Sequence, residues 1–401
     1  MTPWIRLKTN LKQVPFLYRL HSLYRNWEQS RTIVREQVEY QELAAAMGVA
    51  QDWSREELKR RLRERLAARG VNPRPPQGRP LNFIYAGREG DWDVFNIPPA
   101  LAQFGRVTLY LLPRSTREIS LREWLPFRTQ MNNHLVDFVQ QAHREQPVDF
   151  LLTYYSGHQV TPGTIERINA LGIVSAAFHL DDRLLFRGVM LGGQWRGPAA
   201  VAKAYDLNLT QAPESLVKYR VEGALPMLWP LAANPKLCYP REVPFRYDVS
   251  FAGSAYGNRI PLIHYLRQHG VQVSSFGNGW PGGSVPPDRV QEIFCASRIN
   301  LNFDDIAYTH YQCGKLRDFE VPMCGALMLC THNEHLRNYF DLDREIFTFR
   351  TPKECLEKIH YLLANPELCA RARLLSRERA LKEHTWKARV KDLLQVIGFL
   401  K

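Results

Sequence analysis

Long apolar runs are missing from this 401-residue sequence: no stretch approaches the ~20 apolar residues that a membrane-spanning helix requires. The densest, GALMLC at 325–330, has the length of a buried strand. Cysteine is absent before Cys238 and after Cys369, and the seven present include no CxxC pair. That argues against a disulfide framework and against a zinc site. The opening MTPWIRLKTNLKQVPF has no apolar block followed by small residues, so it does not read as a secretory signal. A composition 45% hydrophobic and 23% charged excludes general disorder and fibrous repeats. The expectation is a cytoplasmic, reduced, globular chain of two ordinary domains plus an appendage.

What is present is uneven charge. The net charge is +13, and residues 1–79 hold 16 Lys/Arg against 8 Asp/Glu. A basic excess suits an anionic partner such as an acidic membrane surface, a phosphorylated ligand or nucleic acid. No nucleic-acid-binding signature accompanies it, so nucleic acid is the least supported of these. In this segment Trp4, Ile5, Leu7, Leu11, Val14, Phe16, Leu17, Leu20 and Leu23 recur on a helical period amid Arg and Lys. Such a stretch either lies on anionic lipid at the inner face of a membrane or packs on the body of the protein. Ser54 followed by Glu57 reads as a capping box, with Gly70 as the stop, and VNPRPPQGRP (71–80) reads as a linker.

From residue 81 strands alternate with helices. Expected strands are 81–87, 106–113, 148–155, 173–180 and 204–210, then 247–253, 271–277, RINLNFD, ALMLCT and 345–350. Parallel neighbours need crossovers, so single helices between strands imply doubly wound α/β sheets. We divide the chain into a basic helical extension with its linker (1–79), a first Rossmann-like domain (80–240) and a second (241–401). A Pro-rich joint near 226–244 separates the two α/β halves, which implies a cleft.

Ligands of such sheets bind beyond the carboxyl ends of the strands. FAGSAYGNR (251–259) puts Gly253 and Ser254 at such an end with Arg259 opening the next helix, an arrangement that suits a phosphate. FGNGWPGG adds Gly277 and Trp280, an indole able to stack on a base or to plug a turn. In YQCGKLRDFEVPMCGALML (311–329), Lys315 and Arg317 are cations suited to a diphosphate, and the Glu320 carboxylate can accept two hydrogen bonds from a ribose diol. LDD (180–182), FDD (303–305) and DLD (341–343) are the acidic clusters a metal would need.

The run from Lys315 to Cys330, EHLRNYFDLDREIFTFR, and HTWKAR (384–389) resemble the spore-maturation-protein-like branch of the group 1 glycosyltransferases. The carrying pattern is Arg-x-Phe-Glu-x-Pro-x-x-Gly at Arg317–Gly325 and the closing His-Thr-aromatic-x-x-Arg. The resemblance covers 245–390 well and 81–240 loosely. It implies a GT-B fold, a nucleoside-diphosphate sugar (a UDP-sugar in the first instance) held mostly by the second domain, and an acceptor facing the first. It further implies no cofactor and no metal, since the two-half architecture dispenses with an Asp-x-Asp site, and hexosyl transfer with retention. Its acceptor would be a carbohydrate, a lipid-linked molecule or a small molecule, and a lipid-linked one would reside where the basic segment 1–79 could meet an anionic membrane. Glu320 takes the place of the second Glu in the family's Glu-x7-Glu pattern, whereas the first is replaced by Gln312. His179, with Asp181 and Asp182, falls where relatives place a His against the donor sugar. His158 and Glu89 are further strand-end candidates for a base. Gln312 is the feature favouring the alternative, a catalytically silent nucleotide-binding or interaction protein of this fold.

Overall fold

The computed structural model describes residues 15–50 and 52–401, so Trp4, Ile5, Leu7, Leu11 and Val14 lie outside the described residues. The chain forms two compact units. One comprises Arg35–Pro230 and Trp386–Lys401; the other comprises residues up to Val34 and Leu231–Thr385. We refer to them as the N-terminal and C-terminal units.

In the N-terminal unit, β1 (Leu81–Arg88), β2 (Gly105–Leu112), β3 (Phe150–Thr153), β4 (Val174–His179), β7 (Leu207–Thr210) and β8 (Pro226–Leu228) form one parallel sheet. Its order is β2-β1-β3-β4-β7-β8, so the winding reverses between β1 and β3. The strands β1, β3 and β4 are buried almost throughout, because helices cover both faces of a parallel sheet. One such helix, Leu121–Glu145, begins with a full capping box between Ser120 and Glu123. It delivers Met131, Leu135, Val136 and Val139 to a core with Ile84, Leu151 and Ile165. The short hairpin β5 (Met190–Leu191) and β6 (Gln194–Trp195) and the edge strand β8 had no counterpart in the periodicity, being two or three residues long.

In the C-terminal unit, β9 (Tyr247–Ala252), β10 (Val273–Phe276), β11 (Ser297–Asn302), β12 (Met328–Thr331) and β13 (Phe347–Phe349) form a second parallel sheet, ordered β10-β9-β11-β12-β13. Val249, Phe251, Leu301, Leu329 and Phe347 meet Ile263 and Ile359 in its core.

The boundaries differ from those expected at both termini. Residues 386–401 belong with the first sheet rather than the second, because Trp386 is buried among Trp92, Phe178 and Trp229, with centroids 5.4–6.4 Å away. The extension is not a separate body either. Its helix Pro15–Ala46 contributes residues up to Val34 to the C-terminal unit and the remainder to the N-terminal unit. Tyr18 donates to the Gly257 carbonyl (3.2 Å), and the Tyr308 amide donates to the Gln29 side chain (3.0 Å). Further along, the buried Glu36 pairs with Lys218 (3.2 Å), and Tyr40 donates to Glu222 (2.6 Å). The second helix, Arg55–Ala67, is capped by Ser54 and buries Leu58, Leu62 and Leu66.

Candidate functional site

The polar residues at the strand ends form two groups, one in each unit. In the N-terminal unit a cavity of about 400 Å³ lies at the carboxyl ends of β1, β3 and β4, where the order of strands reverses. Arg88 from the end of β1, Tyr154 and His158 after β3, and His179 with Asp181 from the end of β4 line it, joined by Arg196 from the segment after β6. His179 is 5% exposed, and its Nε2 has no partner among the described residues. Burial lowers its pKa to about 3, so the imidazole is neutral at working pH. Asp181 is exposed.

Asp182 also lines the cavity, yet its carboxylate is tied inward. It accepts from the Tyr219 hydroxyl (2.8 Å), and burial raises it to about 6. Glu89 is exposed and is not among the lining residues. His158 lines the cavity with its ring stacked on Trp124 (4.6 Å, 5°). Its pKa is depressed by burial and by Arg88, Arg128 and Arg196. The sequence reading missed these three arginines. Arg88 alone carried a signal, closing the apolar run of β1 at its carboxyl end.

In the C-terminal unit, the turn after β9 folds onto the turn after β10. The Gly253 amide donates to the Phe276 carbonyl (2.8 Å), and the Trp280 indole donates to the Gly253 carbonyl (2.7 Å). Trp280 also sets its ring edge-on to Phe251 (6.1 Å) and packs on the core. Its indole N–H and one contact with Phe251 are thus committed to the fold, as a turn plug would be. Gly277 has φ +122° and approaches so closely that a Cβ would lie 2.5 Å from the Gly253 carbonyl oxygen. Its absent side chain is explained by this contact between turns.

Arg259 opens the next helix, is 7% exposed, donates to the Ser254 carbonyl (3.0 Å) and lies 4.0 Å over the Tyr256 ring. Ser254 itself is exposed. Burial and the like charge of Arg317 both pull the Arg259 pKa down, so these two cations are neighbours. Arg317 and Glu320, three residues apart on the helix Arg317–Met323, share its half-exposed face. The Arg317 Nε is buried without a partner, and the Glu320 carboxylate makes no hydrogen bond among the described residues. Desolvation raises Glu320 to about 7, against the lowering pull of Arg317. Arg259, Arg317 and Glu320 thus form one cluster with unfilled hydrogen-bonding capacity.

Lys315 makes local contacts. Its ammonium contacts the Cys313 sulfur (3.0 Å), its amide donates to Asp318 (2.6 Å), and its charge lowers the pKa values of the buried Asp304 and Asp318. Those two carboxyls interact directly. Asn302 donates to both, Asn333 donates to Asp304 (3.0 Å), and burial with mutual repulsion holds Asp304 well above the ordinary range. Of the FDD cluster, Asp304 is therefore a scaffold group. Among the described residues no three His, Cys, Asp or Glu side chains converge as a metal site. Gln312 lines a separate cavity of about 710 Å³ with Asn258, Asp305, His310 and His332. The closing His384 is buried, with Nε2 2.8 Å from the Tyr339 carbonyl and its ring against Phe319 and Phe340. It steadies the helix that carries Arg317 and Glu320.

No curated protein matches the sequence. Residues 259–395 match the glycosyl transferase-like family. Among solved structures, the chain is similar to sucrose-phosphate synthase from Thermosynechococcus elongatus, with 13% identity, TM-score 0.54, and 79% of this chain and 98% of that one covered. It is similar to HepE of Anabaena solved with UDP, with 10% identity, TM-score 0.52, and 79% and 99% covered. It is also similar to a Listeria monocytogenes protein assigned as a UDP-N-acetylglucosamine 2-epimerase, with 8% identity, TM-score 0.51, and 79% and 95% covered. At such identities the likeness is one of fold. The chain therefore has the GT-B fold, and its residues 259–395 match a glycosyl transferase-like family model.

Proposed function

We propose that the protein is a hexosyltransferase that moves a sugar from a nucleoside-diphosphate sugar to an acceptor hydroxyl, with retention and without metal. The observation that carries this is the cluster of Arg259, Arg317 and Glu320. Two adjacent cations, one buried and one half-buried, repel until an anion lies against them, and a carboxylate with free lone pairs stands beside them for a pentose diol. HepE, which has this fold, has been solved with UDP and with UDP-glucose, which supports uridine as the base. In a front-face displacement the acceptor oxygen bonds to the anomeric carbon as the bond to the diphosphate breaks. The departing phosphate oxygen takes the acceptor proton. That chemistry asks for fixed cations on the diphosphate rather than a separate base, and Arg259 and Arg317 would bring the charge a metal otherwise supplies. The neutral His179 and the exposed Asp181 are our candidates for contact with the transferred sugar. On the Arg317–Gly325 and His384–Arg389 motifs we assign the chain to the spore-maturation-protein-like branch.

Titration calorimetry of the full chain with UDP and UDP-glucose tests the reading. Binding is expected to persist in EDTA and to weaken in Glu320→Gln; no binding of any nucleoside diphosphate would overturn it. Gln312 sustains the silent alternative. Release of labelled glucose from UDP-glucose, even slowly, decides against that alternative. We further propose that the N-terminal helix docks on anionic membrane, where a lipid-linked acceptor would reside. Leu17, Leu20, Leu23, Tyr24 and Trp27 are exposed on it beside Arg19 and Arg31. Equal sedimentation with anionic and neutral vesicles would exclude this.

A further inference from the structure

We propose that the acceptor carries a phosphate group, gripped by Arg88 and Arg196 in the cavity at the ends of β1, β3 and β4 with Arg128 behind them; this rests on the glycosyltransferase reading above. Arg88 and Arg196 share the lining of this cavity with Asp91, Asp181 and the inward-tied Asp182. Arg196 and Arg128 are each 8% exposed, Arg88 is half-buried, and none of the three forms an ion pair among the described residues. Arg128 is anchored on the Gly157 carbonyl (3.1 Å), and burial, then the nearby charge of Arg196, depress its pKa. Arg88 and Arg196 line the cavity, and the Nε of each is buried without a partner. Buried like charges with unfilled donors are costly when empty and strong when an oxyanion fills them.

The cavity also has polarity. Burial, and then the charges of Arg88, Arg128 and Arg196, depress the pKa of His158, which lines the same cavity. Asp181, Asp93 and Asp91 act instead on Tyr154, whose hydroxyl they help to hold well above the ordinary range. An acceptor anchored by an anion on the arginine side would therefore present a hydroxyl to the side where His179 and Asp181 stand. About 400 Å³ accommodates a phosphorylated monosaccharide. A phosphate monoester, with close to two charges and three acceptor oxygens, suits the two lining guanidinium groups, with a third behind them, better than a carboxylate.

The phosphate could belong to a soluble sugar phosphate or to a lipid headgroup, and the test separates them. The full chain is first titrated with UDP, then, with UDP present, with glucose 6-phosphate, glucose, glucuronic acid, and vesicles of phosphatidylglycerol. Glucose 6-phosphate is expected to bind at least 100-fold more tightly than glucose, and Arg88→Gln and Arg196→Gln are expected each to weaken it more than 10-fold while sparing UDP. Preference for the vesicles, lost in the same variants, supports the headgroup source. UDP binding with no phosphate-bearing probe bound, stronger binding of glucuronic acid, or phosphate binding that competes with UDP and ignores both variants would overturn the proposal. Absence of UDP binding defeats the donor reading instead, and the glucose 6-phosphate titration still decides this one.

Discussion

At the end of β11 the buried polar groups satisfy one another, whereas at the ends of β1 and β4 they do not. Asn302 and Asn333 donate to Asp304, Asn302 also to Asp318, and the charge of Lys315 lowers the pKa of both against the larger effect of burial. In the N-terminal cavity Arg88, Arg196 and His179 keep nitrogens without partners. Both settings are polar, buried and placed at strand ends. The difference teaches that location alone does not mark a candidate ligand site; hydrogen-bonding capacity left open on groups that line a cavity adds to the case. By that measure Arg317 and Glu320 belong with the open set, and Lys315, Asp304 and Trp280 with the closed one.

The comparison breaks if the closed set can be removed cheaply. Asp304→Ala strands the Asn333 amide and part of the Asn302 amide, so a loss of about 2–3 kcal/mol in urea unfolding is expected. Arg196→Gln, by contrast, removes a buried unpaired charge and should leave stability unchanged or raised. Next in size is Glu320→Gln, expected to weaken UDP by roughly tenfold, about 1.4 kcal/mol. This group also sets a pH signature. Its raised pKa means that between its ordinary 4.5 and about 7 the folded protein holds a proton the unfolded chain has lost. Its contribution to stability therefore falls as pH rises through that window. A carboxylate accepting from a diol binds better once charged, so UDP affinity should climb from pH 6 to 8 in the parent and stay flat in the variant. Trp280→Phe is the smallest: under about 1 kcal/mol of stability, with UDP affinity unchanged. A large loss of UDP affinity there would return the indole to the ligand.

The two sheets were legible because each main strand is a continuous apolar run between a helix stop and a turn, as in Leu81–Gly87 and Tyr247–Gly253. Arg259, Arg317 and Glu320 were legible as a set because helix starts and a recognisable segment fixed their places. Arg128 and Arg196 were not. One sits inside a long helix and the other after a two-residue strand, and nothing local says that both reach His158. The fate of Asp182 was equally hidden, since Tyr219 lies 37 positions away.

Local chemistry in the chain settled the alternation of strands and helices, the capped starts and the glycine turns, because these depend on neighbours within a few residues. Tertiary structure alone decided which charges became paired. Whether an aspartate ends beside a tyrosine, or an arginine beside another arginine, depends on side chains brought together from distant segments. Trp386 joined the first sheet for the same reason, since the aromatic cluster that buries it comes from positions 92, 178 and 229.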